Sequence, residues 1–331
     1  MSISLKTVRI SFNMKLLVCY SLPYNDWYVG EFYRSFFNFL KNKGHDVEHV
    51  TIEDLCKRFN GNLNYTNNIP SVFNIFNLLL INEKNNKTFI HSWSDYAPVI
   101  LDLNYESGIK NFDVVKFSCV SGLTQENFDR FNKNFKIQPS FYQLENFSDH
   151  IHIEKYKNNQ KHIKKIFFNG LNYGKRQYIL EKLKKSDLFN IKIKNISSDW
   201  QQKNDYYDTL SNHKYALGLD GAALICYRDL EAFGMGNLLF REKIQNLFYE
   251  PLIENVHYFN IFDDYLYSVI YNNDDLFINH INEKVNNILS LSENNINDVI
   301  NNARGWFERN CLVESQQKLM YSFLDELAIF E

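Results

Sequence analysis

Apolar runs and amphipathic stretches alternate along the first 150 positions. The apolar residues at 15–20 occupy both faces of an extended segment and predict a buried strand. The stretch 27–43 carries apolar residues at helical spacing and precedes Gly44, which predicts a helix with a glycine C-cap. The same patterns predict a helix at 71–81 and strands at 46–52, 88–91, 114–120 and 141–145. This succession is typical of a parallel α/β unit.

A polar, charged segment interrupts the pattern, and a second α/β pattern follows it. We therefore predict a linker at 151–165, between an N-terminal domain at 1–150 and a C-terminal domain at 166–331. Residues 1–13 form an extension before the first strand. The second pattern predicts strands at 165–168, 190–196, 215–219, 237–240 and 256–261, and helices at 175–185, 206–212, 228–234, 296–310 and 314–330.

Two facing Rossmann-like domains are the α/β fold class that this succession predicts. Doubly wound domains bind ligands at the carboxyl ends of their strands, so two that face each other enclose a cleft. The loop after the first strand, at 21–26, contains no G-x-G-x-x-G, so the usual dinucleotide-binding motif is absent there.

Charge and cysteine content exclude several classes of partner and site. The net charge is −3, which provides no basic field for nucleic acid. The five cysteines form no C-x-x-C pair, which disfavours a zinc site or a disulfide framework and predicts a cytoplasmic protein. No apolar run reaches the roughly 18 residues that a membrane span needs. The basic stretch at 155–165 predicts a solvated face, with peripheral contact to anionic lipid as the alternative.

The stretch 206–240 contains a strand, a turn and a helix start that suit a phosphate ligand. The strand ends at Asp220-Gly221, where the glycine lets a ligand approach the backbone. Arg228 begins the next helix, whose amino end and guanidinium both attract a diphosphate. Glu231 follows one turn later and can accept the two hydroxyls of a ribose. The alternative is an ordinary surface ion pair between Arg228 and Glu231.

This half of the chain resembles glycosyltransferase family 90, the group of lipopolysaccharide-modifying enzymes and protein O-glucosyltransferases. The resemblance covers about residues 165–331, through HKYALGLDG and YRDLEAFGMGNLLF at 213–240, LFYEPLIENVHY at 247–258, and NARGWFERN at 302–310. The family's F-R-G segment and following arginine correspond to 168–170 and Arg176. The resemblance implies a two-domain transferase of the GT-B type. It also implies a nucleotide-sugar donor held by the second domain, at Gly170, Arg176, Asp220, Gly221, Arg228, Glu231 and His257.

The N-terminal half shows a weaker form of the same resemblance. The segment IHSWSDYAPVI at 90–100 is similar to a family strand that ends in a D-Y-P type motif, which implies that Asp95 is the catalytic base. Such a base deprotonates an acceptor hydroxyl while that oxygen attacks the anomeric carbon of the sugar. Without the resemblance, Asp95 is an ordinary turn or cap residue. Trp93 and Tyr96 are candidates for stacking on an acceptor sugar, with core packing as the alternative.

Several residues depart from the family pattern or have a simpler alternative. Asn169 stands where the family usually has arginine, and Tyr227 where a small residue often precedes the arginine. His257 matches the family's H-Y pair, and a structural histidine is the alternative. The aspartate pairs at 263–264 and 274–275 lack the D-x-D spacing, so we predict that no metal and no cofactor is required.

The function predicted from the sequence is therefore an inverting, metal-independent glycosyltransferase. By resemblance, its donor is UDP-glucose or UDP-xylose, and its acceptor is a hydroxyl of a glycan or glycoconjugate. Two alternatives remain open, a nucleotide-sugar epimerase and a degenerate transferase that binds a glycan or a partner protein. The substitution at Asn169 favours the second of these.

Overall fold

A computed structural model of the chain describes most of the second half and separate parts of the first. The described residues are 15–20, 29–51, 54, 77–83, 87–92, 114–119, 124–126, 129, 149–172, 174–194, 203–221, 225–245, 247–271 and 273–330. Within them the chain is a mixed α/β protein with two five-stranded sheets.

The first sheet is mixed. Its elements are β1 (Lys15–Tyr20), α1 (Val29–Asn42), β2 (Asp46–His49), β3 (Asn77–Asn82), β4 (Lys87–Ser92) and β5 (Val114–Cys119). The strand order is β2-β1-β3-β4-β5, and β3 runs antiparallel to both of its neighbours. The β1–β2 and β4–β5 pairs are parallel, as the sequence pattern predicts.

The predicted helix at 71–81 is wrong at 77–81, which belong to β3. This strand is a continuous apolar run, and Leu80 and Ile81 are fully buried. A short run with no polar positions has no periodicity that separates a strand from a buried helix. The strand predicted at 141–145 lies outside the described residues.

The second sheet is entirely parallel. After α2 (Asp149–Tyr156), its elements are β6 (Ile163–Leu171), α3 (Lys175–Leu183), β7 (Phe189–Lys194), α4 (Lys203–Asn212), β8 (His213–Gly218), α5 (Tyr227–Met235), β9 (Leu238–Arg241) and β10 (Phe259–Asn260). The strand order is β10-β9-β8-β6-β7. The strands and helices predicted for this region occur within a few residues of their predicted bounds.

Most of the segment predicted as a linker is regular structure. The helix α2 covers its first residues and β6 begins at Ile163, so only 157–162 lie between the two elements. Ile153 of α2 is buried in the core formed by α5 and α8, where a side chain at Gly234 would lie 3.0 Å from it. Because α2 is short and polar except at such positions, its charge pattern resembles that of a linker.

Four helices complete the chain: α6 (Asp264–Val269), α7 (Asp274–Leu289), α8 (Glu293–Asn310) and α9 (Val313–Glu326). Side chains cap the amino ends of three of them. Asp263, Asn273 and Ser292 accept hydrogen bonds from the backbone N–H groups of Leu266, Leu276 and Asn295, respectively.

The last helix packs against the first sheet. His45, after α1, is hydrogen-bonded to Tyr321 of α9 at 3.0 Å, and its ring stacks on Phe330. The fully buried Asn82 at the end of β3 donates to the backbone carbonyl of Ile329 at 3.1 Å. Residues from both ends of the chain therefore share one apolar core.

Candidate functional site

The order of the second sheet creates a crevice between β6 and β8. The chain proceeds from β6 outward to β7 on one side, and then returns to β8 on the other side of β6. The carboxyl ends of β6 and β8 therefore lead in opposite directions, to α3 and α5. Ligands of open α/β sheets bind at such a switch point. The residues that the sequence predicts for the donor phosphate lie at this switch point, although the sequence pattern does not reveal the strand order.

Gly170 and Arg228 meet in this crevice. Gly170 lies near the end of β6, and Arg228 is the second residue of α5. The guanidinium lies over the ring of Phe168, with Cζ 4.6 Å from the ring centroid, and Nε donates to the carbonyl of Asn169 at 2.8 Å. A Cβ at position 170 would lie 2.1 Å from Nη2 of Arg228, so only glycine permits this placement.

The Arg228 guanidinium retains capacity to bind an anion. Its Nη1 is buried and has no hydrogen-bond partner among the described residues. A buried donor without a partner is unfavourable by about 1–3 kcal/mol, so a ligand oxygen at this point would stabilise the protein. Burial opposes the charge of this guanidinium, but the adjacent Glu231 and Asp229 carboxylates raise the pKa of Arg228 above its usual value, so its charge is permanent.

Two helix amino ends accompany this arginine. At the start of α3, Gly174 has φ 59°, and no side chain of the described residues caps the helix. At the start of α5, by contrast, the carboxylate of Asp229 accepts from the N–H of Cys226 at 3.0 Å. The uncapped amino end of α3 therefore offers N–H groups to a ligand, and the amino end of α5 contributes mainly Arg228.

Arg176 does not share this arrangement. Its side chain is 3% exposed, Nε donates to the carbonyl of Asp220 at 2.8 Å, and Nη2 donates to the carbonyl of Leu219 at 2.6 Å. Nη2 also lies 2.9 Å from Sγ of Cys226. These contacts fix the loop between β8 and α5 through its backbone carbonyls. They favour a positioning role over the phosphate contact that the sequence predicts.

A second buried arginine, which sequence reasoning missed, holds the same loop from β9. Arg241 is 0% exposed and pairs with Asp229 at 2.6 Å and with Asp220 at 2.7 Å. One guanidinium thus fixes both ends of the loop, at Asp220 after β8 and at Asp229 on α5. The only signal in the sequence is a charged residue directly after the apolar residues of β9.

Asp220, which is half-buried, also lies beside the buried carboxylate of Glu242. Its backbone N–H donates to Oε2 of Glu242 at 3.0 Å, and Lys175 Nζ lies 3.5 Å from Asp220 Oδ2 and 3.0 Å from Glu242 Oε1. Tyr267 donates to the same Glu242 oxygen. Burial, and the adjacent Glu242 charge, raise the pKa of Asp220 despite Arg241. Burial alone would also raise the pKa of Glu242, but Tyr267, Lys175 and the Asp220 N–H together lower it.

Glu231 lies one turn beyond Arg228 and is 6% exposed. Its Oε2 accepts from the hydroxyl of Tyr206 at 2.6 Å and its Oε1 from that of Tyr207 at 3.0 Å. Burial and the Glu231 charge raise the pKa of Tyr206 well above its usual range, so this phenol remains a donor. The described contacts make Glu231 an acceptor of two hydroxyls, both from α4.

The remaining predicted residues lie apart from this group or outside the described part. The Nδ1 atom of His257 accepts from the N–H of Ile253 at 2.9 Å, and burial lowers the pKa of its ring. These contacts favour the structural alternative for His257. Gly221 follows Asp220 on the half-buried start of the loop. The predicted base Asp95 and the acceptor candidates Trp93 and Tyr96 lie outside the described residues.

The described residues include neither a metal-ligand cluster nor a membrane-spanning helix. They contain no group of three or more His, Cys, Asp or Glu side chains placed to hold a metal ion. None of their helices has the length and apolar character to cross a membrane.

Comparisons with known proteins add fold-level likenesses. No family model matches the chain, and no curated protein matches it. Solved structures similar to it include a glycosyltransferase from Rickettsia africae ESF-5, at 11% identity and TM-score 0.46, which covers 96% of this chain and 98% of that chain. Another is an alpha-glucosyltransferase in complex with UDP and a 13-mer DNA containing a central A:G mismatch. It matches at 10% identity and TM-score 0.49, and the match covers 96% of this chain and 100% of that chain. A GtfA/B complex matches at 8% identity and TM-score 0.35, and the match covers 72% of this chain and 45% of that chain. Likenesses at this level assign no function to the chain.

Proposed function

We propose that this chain is a glycosyltransferase that binds a nucleotide-sugar donor at the switch point of its second sheet. The observation that carries the proposal is the Arg228 guanidinium, held against Gly170 with its Nη1 buried and unpartnered among the described residues. A diphosphate supplies oxygens with the charge and geometry that such a fork binds.

The donor would extend in two directions from this arginine. The diphosphate lies between Arg228 and the amino end of α3, where negative charge is stabilised as the nucleotide departs. Glu231 takes the ribose hydroxyls, and the loop at Asp220-Gly221 lines the side of the transferred sugar. Arg176 and Arg241 would act as positioning residues, because both fix this loop and are buried beneath it.

The chemistry would be a single displacement with inversion. An acceptor hydroxyl oxygen attacks the anomeric carbon, the bond from that carbon to the phosphate oxygen breaks, and the hydroxyl proton passes to the carboxylate of Asp95. Asp95 holds this role by the sequence resemblance, as do Trp93 and Tyr96 at the acceptor. The resemblance also supplies the donor, UDP-glucose or UDP-xylose, and a glycan or glycoconjugate acceptor. The diphosphate is held without a metal ion in this proposal.

The proposal is tested by thermal unfolding with UDP, GDP, CDP and their common sugar conjugates, each with and without EDTA. A ligand at ~100 times its dissociation constant stabilises a protein by about 2.7 kcal/mol, which such an experiment detects. We expect stabilisation by UDP and UDP-sugars that persists in EDTA. The variant Arg228→Met should abolish it, since methionine retains the packing on Phe168 and removes the charge.

The matched control is Arg304→Met, which removes a half-buried arginine paired with Glu308 on α8, away from the proposed site. It should retain the full UDP-dependent shift. A folded protein that no nucleotide stabilises would overturn the transferase proposal and favour the degenerate binding protein. Conversion of a UDP-sugar without any acceptor would favour the epimerase.

A further inference from the structure

Glu231 is bound by two neighbouring hydroxyls in the described structure. Tyr206 and Tyr207 are consecutive on α4, and each donates to a different oxygen of the same carboxylate. The two hydroxyls of a ribose bind a carboxylate in the same pattern, one hydroxyl to each oxygen. The tyrosines therefore make the contacts that the proposed donor needs.

The two tyrosines differ in how firmly they are held. Tyr207 is 1% exposed, its bond to Glu231 is buried, and the ring of His152 from α2 stacks on it at 5.3 Å. Tyr206 is half-buried, and its bond to Glu231 is only partly buried. Its ring contacts those of Tyr207 and Phe167 at tilted angles. Tyr207 is thus fixed in the core, whereas Tyr206 lies at the border between the core and the solvent.

We propose that Tyr206 occupies the position of a ribose hydroxyl on Glu231 and leaves it when a nucleotide binds. Tyr207 remains and orients the carboxylate. Without Tyr206, Glu231 would be a nearly buried carboxylate that lacks one of its hydroxyl donors, which is unfavourable. When the nucleotide binds, a ribose hydroxyl replaces the Tyr206 hydroxyl as the donor to Oε2 of Glu231. This inference rests on the proposed function, and it identifies Tyr206 as a residue that limits the preference of Glu231 for ribonucleotides.

The exchange has a measurable consequence for affinity. A ribose hydroxyl that must displace a phenol gains less than one that meets an available oxygen. Removal of the Tyr206 hydroxyl should therefore tighten the binding of UDP by about three- to tenfold, the range that one net hydrogen bond supports. A nucleotide that lacks both ribose hydroxyls should gain nothing from the same change.

The experiment is calorimetric titration of the full chain with UDP and with 2′,3′-dideoxyuridine diphosphate. Parent, Tyr206→Phe and Tyr207→Phe are compared, and thermal unfolding confirms that each variant is folded. We expect Tyr206→Phe to tighten UDP alone, and Tyr207→Phe to weaken UDP because Glu231 loses its orienting partner. The ratio between the two nucleotides should therefore increase in Tyr206→Phe.

Three results would overturn the inference while leaving the proposed function intact. These are an unchanged or weaker affinity of Tyr206→Phe for UDP, an equal tightening of the dideoxy nucleotide, and a tightening of UDP by Tyr207→Phe. A parent protein that binds no UDP would remove the UDP donor from the proposed function, and this inference with it.

Discussion

Gly170 and Arg228 approach so closely that one added carbon on the glycine would lie 2.1 Å from Nη2 and 2.8 Å from Cζ of the arginine. Gly170→Ala must therefore displace the guanidinium from its bond to Asn169. If Arg228 holds a diphosphate, UDP affinity should decrease by about tenfold or more, as expected for a charge-assisted hydrogen bond. Calorimetric titration with UDP measures this.

The matched control is Gly305→Ala on α8. Gly305 is also close to an arginine, because a Cβ there would lie 3.1 Å from Nη1 of Arg309, but that arginine is exposed and pairs with Glu250. Its UDP affinity should equal that of the parent. An undiminished affinity in Gly170→Ala would show that the diphosphate does not bind at Arg228.

Arg176 and Arg228 should respond differently to the same substitution. Arg176→Met leaves the carbonyls of Leu219 and Asp220 without their donor, so the free energy of unfolding should decrease by about 2–4 kcal/mol. Arg228→Met removes one such hydrogen bond, from Nε to the carbonyl of Asn169, while Nη1 has no partner among the described residues, so the loss should be smaller, about 1–2 kcal/mol. Urea denaturation compares the two. The opposite order would assign the structural role to Arg228.

Loss of Arg241 should destabilise the chain by more than loss of Arg176. It is fully buried between Asp220 and Asp229, and Asp229 is fully buried as well. Arg241→Met leaves the fully buried Asp229 without its cation and leaves Asp220 with Lys175 alone, which should cost about 3–5 kcal/mol in urea denaturation. The exposed pair of Arg309 with Glu250 is the control, and Arg309→Met should cost under about 1 kcal/mol. A loss in Arg241→Met as small as that of the control would contradict this account.

His213 should make the chain less stable in mild acid. Burial lowers the pKa of its ring below the value of the unfolded chain, with Lys192 and Lys161 contributing. Nδ1 donates to the carbonyl of Thr209 at 2.7 Å and Nε2 accepts from Asn190 at 3.0 Å, so the fold selects the neutral ring.

The sign of the pH dependence follows from this shift. Above about pH 6.5 the ring is neutral in both states and contributes no pH dependence. As the pH falls below that value, the unfolded chain binds the proton first and stability decreases. His213→Gln should reduce the difference in unfolding free energy between pH 7.5 and pH 5. It should not abolish the difference, because burial also lowers the pKa of His45 and His257. A pKa of His213 at or above 6.5 by NMR would contradict the prediction.

The sequence was sufficient to predict the elements around the site, because each has a strong local pattern. The parallel strands β6 and β8 each contain an apolar run, and α5 begins directly after a predicted turn. Arg228 was predicted for the donor site from this strand–turn–helix context and Gly170 from the family resemblance, and the structure brings the two into contact. The facing arrangement of two domains stays a prediction.

Other features depend on contacts that no local pattern contains. Spacing places Arg176 at the start of α3, but the direction of its side chain is set by carbonyls 43 and 44 positions away. Arg241 is explained only by Asp229 and Asp220, at separations of 12 and 21 positions. The partners of Glu231 lie on a different helix, and the Lys175–Glu242 pair joins the start of α3 to the residue after β9. Such residues are identified by tertiary structure alone.

The packing of α9 on the first sheet has a consequence for how the chain is made. His45 and Tyr321 are separated by 276 positions, so the ribosome completes the partner of α1 on the order of 10–60 s after α1 itself, at about 5–20 residues per second. Throughout that interval the apolar surface beside α1 lacks its final cover. We expect a nascent chain that stops before α9 to engage chaperones through this surface, and the finished chain to release them.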